Sequence, residues 1–318
     1  MNSTILSTLL PILLLFLLGY ALRKGKFCPP EFFSGLNRLA FWVLLPCQLF
    51  MEVVRAPGGV DRALLGPAML LAAACVIVPA IGFVAHRLLC HKADVGVFLQ
   101  GTMRGNLVYV GLPVVLFCFD KPGDELVRQS AVLSIALIIP VYNVMSVLLL
   151  NLSASRRDKP FSQRLIGTLR GVATNPLIIA CVAGFVFKGF GWMPPLFAAR
   201  VFDGLAKASL AVALLALGGS FTLSRIHASL FRAALVSAIF RVAVNPLAGL
   251  LLGMLFAPWL RLDAGLFLAA LLLLATPTAV ASFVMADQMG CDKDLAAAIV
   301  VLTTLLSFPA LALILLFH

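Results

Sequence analysis

The sequence predicts an all-α membrane protein whose ten transmembrane helices form two inverted five-helix repeats, with crossed, broken helices four and nine. Of its 318 residues, 62% are hydrophobic and only 12% are charged, and the mean hydropathy is +1.08. The core of a water-soluble protein of this length cannot bury so many apolar residues. Charged and Gly/Pro clusters separate apolar runs of about 20 residues, the length of a helix that spans a bilayer. The ten runs are 5–22, 36–54, 63–85, 95–119, 127–150, 165–187, 196–217, 233–256, 264–286 and 295–317.

The distribution of Lys and Arg between loops predicts the orientation. Loops after odd-numbered runs hold fourteen of these residues, whereas the opposite side holds seven, balanced by seven acids. Because basic loops stay on the cytoplasmic side, both termini are expected outside. The same distribution accounts for most of the net charge of +11, so we expect no nucleic-acid partner. The seven scattered cysteines indicate neither a disulfide framework nor a metal site, and we expect no cofactor.

The basic loop "NLSASRRDKPFSQR", residues 151–164, divides the runs five and five. Because five is odd, two halves with the same fold must be inserted in opposite orientations, as in many secondary transporters. We therefore predict repeats at 1–155 and 156–318. Aligning the first runs of the two halves brings Pro113 to within a few residues of Pro277.

Prolines in the middle of runs four and nine, in "YVGLPVV" and "LATPTAV", predict broken helices. Proline removes a backbone donor, clashes with the preceding turn and suits the first turn of a new helix. We therefore expect Pro113 and Pro277 to begin second half-helices near the bilayer midplane, with their positive N-terminal ends directed at an anion. The alternative for each proline is a simple kink in a packed helix.

Polar and small residues surround both predicted breaks. They are Asn106, Tyr109 and Gly111 before Pro113, and Thr276, Thr278 and Ser282 around Pro277. The hydroxyls can alternatively bond back to their own helices.

Three cations, Arg104, Lys207 and Arg241, lie well inside the runs, and no acid lies at comparable depth. An anionic ligand is the natural counter-charge for cations placed there. Asp287 at the inner end of run nine and Asp203 near the outer end of run seven allow partial pairing, but they cannot neutralise all three cations. Alternatively, Arg104 and Arg241 extend to lipid headgroups or cap a broken helix, and Lys207 pairs with Asp203.

Five segments in this order resemble the auxin efflux carrier family, which includes bacterial organic-anion permeases and plant PIN-type auxin carriers. They are "LNRLAFWVLLPCQLF", "GNLVYVGLPVV", "PVYNVMSVLLL", "TNPLIIACVAGFVF" and "ATPTAVASFVMADQMGCDKDLAAAIVVLTTLLS". The resemblance implies the fold of sodium-coupled bile acid transporters, with a scaffold of helices 1, 2, 6 and 7, transport helices 3–5 and 8–10, and a homodimer.

The same resemblance implies a carboxylate site at the crossing of helices four and nine. Asn106, Gly111 and Pro113 match its first half, and Pro277 with its neighbours Thr278 to Ser282 matches its second. The short central loop is typical of a bacterial permease in the inner membrane, so auxin itself is not the expected substrate.

We therefore expect a secondary transporter of small organic anions such as carboxylates, working by elevator-type alternating access in the lipid bilayer. A passive anion channel or a substrate sensor is the alternative, and the coupling ion, H⁺ or Na⁺, stays open. An enzyme is not expected, because the chain lacks HExxH, a Gly-x-Ser-x-Gly elbow and a second mid-depth aspartate.

Overall fold

A computed structural model describes residues 2–55, 62–153, 174, 176–220, 228–260 and 262–316. The described chain is helical, with no strand beyond one isolated bridge, so the predicted all-α class is confirmed. The first half contains α1 (Asn2–Lys24), α2 (Pro30–Leu39), α3 (Leu45–Arg55), α4 (Arg62–Leu89), α5 (Val95–Met103), α6 (Leu112–Cys118) and α7 (Glu125–Leu150). The second half contains α8 (Pro176–Gly189), α9 (Leu196–Ser220), α10 (Ala228–Ile239), α11 (Asn245–Leu260), α12 (Ala264–Leu274), α13 (Val280–Gln288) and α14 (Lys293–Leu316).

Five helical stretches in the described residues are long and apolar enough to cross a membrane. They are Pro30–Arg55, Leu64–Leu89, Glu125–Leu150, Leu230–Phe256 and Lys293–Leu316. Two shorter apolar helices, Leu107–Cys118 and Ala264–Leu274, belong to interrupted segments. These features are those of a multi-pass membrane protein. Most of the central basic loop, the predicted repeat boundary and the start of the sixth run lie outside the described residues.

Three π-helical segments each end two residues before a proline. They are Ala40–Leu44 before Pro46, Leu107–Gly111 before Pro113 and Phe240–Val244 before Pro246. A proline ring collides with the carbonyl four residues earlier and offers no N–H, so the preceding turn widens. Pro113 therefore lies within a continuous helix, Leu107–Cys118. The prediction that Pro113 begins a half-helix is wrong, because that half-helix begins at Leu107.

Most helix contacts fall into two sets. The long helix α9 packs against α1, α2 and α3, and α8 packs against α3. By contrast, α4 packs against α5, α7, α11 and α12, while α10 and α13 pack against α14. The largest apolar cluster includes Leu71, Val115, Ile135 and Leu272, which are all less than 2% exposed. This cluster surrounds the place where the two interrupted segments meet.

Candidate functional site

Two breaks in the helices meet side by side. The first, residues 104–106, follows α5, and the second, residues 275–279, separates α12 from α13. They run antiparallel and form an isolated bridge between Gly105 and Thr278. The Asn106 N–H donates to the Pro277 carbonyl at 2.7 Å, and the Ala279 N–H donates to the Arg104 carbonyl at 3.0 Å. Each break thus satisfies backbone groups that the other leaves without helical partners. We call this region the crossing.

Asp94 and Asp263 begin the two half-helices that lead into the crossing. The Asp94 side chain accepts the Val97 N–H at 2.9 Å, and Asp263 accepts the Leu266 N–H at 2.7 Å. These are N-caps of the usual kind. Beyond the breaks, α13 begins at Val280, so Pro277 lies in the connecting segment and does not start the helix, contrary to the prediction.

Asn106 caps the half-helix that starts at Leu107. Its Oδ1 accepts the Tyr109 N–H at 3.3 Å, and its backbone carbonyl accepts the Val110 and Gly111 N–H groups, both at 3.1 Å. The carboxamide oxygen is therefore occupied, and its NH₂ group is the part suited to an anion. Asn106 is buried, at 6% exposure.

Gly105 permits the close approach of the two segments. A Cβ atom at this position would collide with the Arg241 guanidinium and would lie 2.5 Å from Thr276 Oγ1. Only glycine fits without displacing them. Gly105 stands directly before Asn106 in the segment "GNLVYVGLPVV", but no sequence pattern assigned it to the site.

Arg241 is fully buried and binds the carbonyl ends of both incoming half-helices. Its Nε and one terminal nitrogen donate to the carbonyls of Thr276 and Met103, both at 2.7 Å. The other terminal nitrogen donates to Thr276 Oγ1 at 2.9 Å and to the Leu273 carbonyl at 3.5 Å. Arg241 therefore caps the broken helices, the alternative role considered from the sequence, and these donors are committed to the protein.

Arg104 has a different environment. Its guanidinium donates to Asn143 Oδ1 at 2.7 Å and to Ser146 Oγ at 3.1 Å, and it also contacts the Met285 sulfur. All three partners are neutral, and none of the acids whose side chains the structure describes forms an ion pair with Arg104; the side chain of Asp287 lies outside that set. The side chain is only 9% exposed. Arg104 is thus a buried cation whose charge these contacts do not neutralise.

The charges at the crossing leave an excess of positive potential. The C-terminal ends of α5 and α12 each carry roughly −0.5 charge, which the Arg241 cation offsets. The N-terminal ends at Leu107 and Val280 contribute roughly +0.5 each, and Arg104 adds a full charge. A negatively charged ligand would therefore be favoured here.

The hydroxyl groups at the crossing fall into two kinds. Thr276 donates to the Leu273 carbonyl at 2.7 Å, and Thr278 donates to the Gly101 carbonyl at 2.9 Å. The Thr278 N–H in turn donates to Thr303 Oγ1 at 3.0 Å. By contrast, Ser282 Oγ in the first turn of α13 is buried and has no hydrogen-bond partner among the described residues. Ser282 is therefore the hydroxyl of this group that is available to a ligand.

The remaining predicted site residues lie in three different settings. Tyr109 is partly buried in the π-helical turn and packs against the main apolar cluster. Gly111 fits against α12, where an added Cβ would lie 2.8 Å from a Leu273 methyl group, and Pro113 is buried in α6. Lys207 does not reach the crossing, because it lines a separate cavity between α3, α7 and α9. Asp203, its predicted partner, pairs with Arg55 at 2.8 Å.

Sequence reasoning also missed polar residues that support the crossing from neighbouring helices. Asn143 and Ser146 were visible as two polar residues three positions apart in an apolar run, a spacing that puts them on one helix face. Thr303 likewise lies in the last apolar run and gave no comparable pattern.

Comparison with known proteins adds a family and two relatives. The family model described as "Membrane transport protein" matches residues 4–315. A protein of Rhizobium meliloti (strain 1021) named "Putative malonate transporter" is 27% identical over 327 residues, covering 96% of this chain and 93% of the relative. A protein of Methanothermobacter thermautotrophicus named "Uncharacterized transporter" is 26% identical over 322 residues, covering 98% and 97% respectively.

Proposed function

Because the chain belongs to the auxin efflux carrier family of membrane transport proteins, we propose that it is a secondary transporter of small organic anions, carboxylates in particular. The family and the relatives are transporters and not enzymes. The proposal concerns the class of substrate and the way in which it crosses the membrane.

The observation that carries the substrate class is the contrast between the two buried arginines. Arg241 is committed to the carbonyl ends of α5 and α12, whereas Arg104 has only neutral side-chain partners. A buried cation is costly unless it is paired, so a carboxylate beside Arg104 would lower its free energy. The Asn106 NH₂ group and the Ser282 hydroxyl would supply hydrogen bonds to the same anion.

The name of the Rhizobium relative suggests malonate as the first substrate to test. A dicarboxylate matches two positive features of the crossing, the Arg104 guanidinium and the paired N-terminal helix ends. We extend this substrate to the present chain only as part of the proposal.

The contact pattern supports elevator-type movement. We define the scaffold group as α1, α2, α3, α8 and α9, and the crossing group as α4–α7 and α10–α14. The groups with which Arg104, Arg241 and Thr278 form the hydrogen bonds and contacts described above all belong to the crossing group. A site built within one group can move as a unit against the other. Its proposed setting is ten spans in two inverted repeats (1–155 and 156–318) in the bacterial inner membrane, with both termini outside and the protein a homodimer.

Uptake of radiolabelled malonate into proteoliposomes tests the proposal. We expect saturable uptake that is accelerated by malonate on the opposite side, and we expect Arg104→Gln to abolish it. Arg232→Gln is the matched control, because Arg232 is an exposed arginine of α10 outside the crossing. Equal losses in the two variants would place the site elsewhere.

Flux that does not saturate would instead favour the anion channel, and binding without flux would favour the sensor. Repeating the assay with imposed H⁺ or Na⁺ gradients would identify the coupling ion.

A further inference from the structure

A cavity of about 630 Å³ lies between α3, α7 and α9, apart from the crossing. Its volume falls within the range of about 300–1,000 Å³ that is typical of small-ligand pockets. None of its lining residues belongs to 104–106 or 275–279. Arg55, the last residue of α3, and Arg128, in the first turn of α7, are among the seven cations on the side predicted to face outward. The cavity therefore lies toward the predicted outer surface.

The cavity is lined by one more cationic side chain than acidic side chains. Arg55 pairs with Asp203 at 2.8 Å, and Arg128 lies 3.7 Å from Glu125. Lys207 makes no ion pair with any acid whose side chain the structure describes, although it lines the same space and its charge acts on the Asp203 carboxylate at longer range. Three cations and two acids give the lining a net charge of +1. The ammonium of Lys207 is the charge available to a ligand.

Two buried carboxamides border the cavity. Gln129 is 8% exposed, and its Oε1 has no hydrogen-bond partner within the described residues. Gln48 is 7% exposed, and its Oε1 accepts a hydrogen bond from the Ser209 hydroxyl. Buried polar groups are normally satisfied, so the Gln129 carboxamide beside the open cavity is a group that a ligand bound there can satisfy. Its carboxamide can turn to present either oxygen or NH₂.

We propose that this cavity is a second, outer binding site for a small carboxylate, distinct from the crossing. Lys207 supplies the charge and the Gln129 carboxamide supplies hydrogen bonds, while a second carboxylate of the same ligand reaches toward Arg128. The choice of carboxylates as the ligand class rests on the proposed function. Because Lys207 lies on α9 and Gln129 on α7, the ligand would also connect the scaffold group with the crossing group.

Equilibrium dialysis of radiolabelled malonate against the full-length protein in lipid nanodiscs tests this site. We expect two molecules of malonate bound per chain. Lys207→Gln should weaken the outer site by at least about tenfold and leave one molecule bound at moderate concentration. Lys207→Arg, which keeps the charge, should retain both. Arg200→Gln is the matched control, because Arg200 is an exposed cation of the same helix that does not line the cavity.

The variants distinguish the two proposals. If Arg104→Gln removes the only binding that is seen and Lys207→Gln has no effect, the outer site is refuted while the crossing stands. If Lys207→Gln removes the only binding that is seen and Arg104→Gln has no effect on it, the outer site stands and the proposed crossing site fails. Absence of malonate binding in the wild-type protein would overturn the outer site. Inorganic phosphate binding there as tightly as malonate would overturn its assignment to carboxylates.

Discussion

Replacing Arg241 with glutamine tests whether the two buried arginines have different roles, Arg241 in capping the half-helices and Arg104 in binding the anion. The change removes the donors to the Met103 and Thr276 carbonyls, and each buried acceptor left unsatisfied costs about 1–3 kcal/mol. Two half-helix C-terminal ends also lose their counter-charge. Relief of the desolvation of the cation offsets part of this cost. We expect a net loss of about 3–5 kcal/mol in the free energy of unfolding, as when one partner of a buried charged network is removed.

Thermal unfolding followed with a thiol-reactive dye measures this loss, because Cys75 and Cys118 are free and buried and become accessible on unfolding. The midpoint of Arg241→Gln should fall by roughly 5–10 °C. Arg104→Gln should unfold within about 2 °C of the wild type, because the neutral side chains around Arg104 can reorient toward the new carboxamide. It should nevertheless lose malonate binding. An Arg241→Gln protein as stable as the wild type but unable to bind malonate would refute this reasoning.

Three further substitutions probe the crossing. Gly105→Ala should abolish malonate uptake and lower the free energy of unfolding by about 1–3 kcal/mol, because the new methyl group collides with Arg241. Gly204→Ala, on an open face of α9, is the control and should leave uptake unchanged and the free energy of unfolding unchanged or slightly raised. Thr303→Val should lower the free energy of unfolding by about 1–3 kcal/mol, because the buried Thr278 N–H loses its acceptor, and an unchanged unfolding midpoint would contradict that hydrogen bond. Ser282→Ala should leave the midpoint unchanged or raised, because a buried unsatisfied hydroxyl is removed, yet raise the malonate KM severalfold; an unchanged KM would exclude this hydroxyl from the site.

The mid-run prolines identified the interrupted helices but not the positions of the breaks. A proline acts on the turn before it, and the widened turns before Pro46, Pro113 and Pro246 show this local effect equally. Only the segment that contains Pro113 also contains a break, at 104–106. That break is stabilised by hydrogen bonds to residues about 170 positions away, at Pro277 and Ala279. Gly105 and Asn106 form a local signal of a turn and a helix start at this position, but the hydrogen bonds that hold the break together are not local.

Depth in a run was a poor guide to the roles of the three cations within the runs, Arg104, Lys207 and Arg241. Arg104 and Arg241 lie at similar predicted depths, and only tertiary contacts distinguish the one that reaches backbone carbonyls from the one that reaches neutral side chains. Lys207 was placed correctly in its helix, but its side chain lines the cavity between α3, α7 and α9 and not the crossing. The sequence therefore predicts which residues are unusual more reliably than which of them act together.

The two arginines also bear on how a carrier of this design would operate. Arg104 and Arg241 bring two formal positive charges into the crossing group, and no described acid pairs with either. Moving uncompensated charge through the membrane costs about 2.3 kcal/mol per charge at 100 mV when the charge moves against the potential, and more in either direction where the charge loses its solvation. Because the C-terminal ends of α5 and α12 offset Arg241, the excess at the crossing is the Arg104 charge and the two N-terminal helix ends, about two positive charges in all. A bound dicarboxylate would cancel this excess, whereas the empty site would carry it across. The loaded form of the proposed transporter should therefore change orientation more readily than the empty form. Because the empty form returns slowly, exchange of substrates is favoured over net uptake. The contrast between Arg104 and Arg241 thus favours both an anionic substrate and exchange.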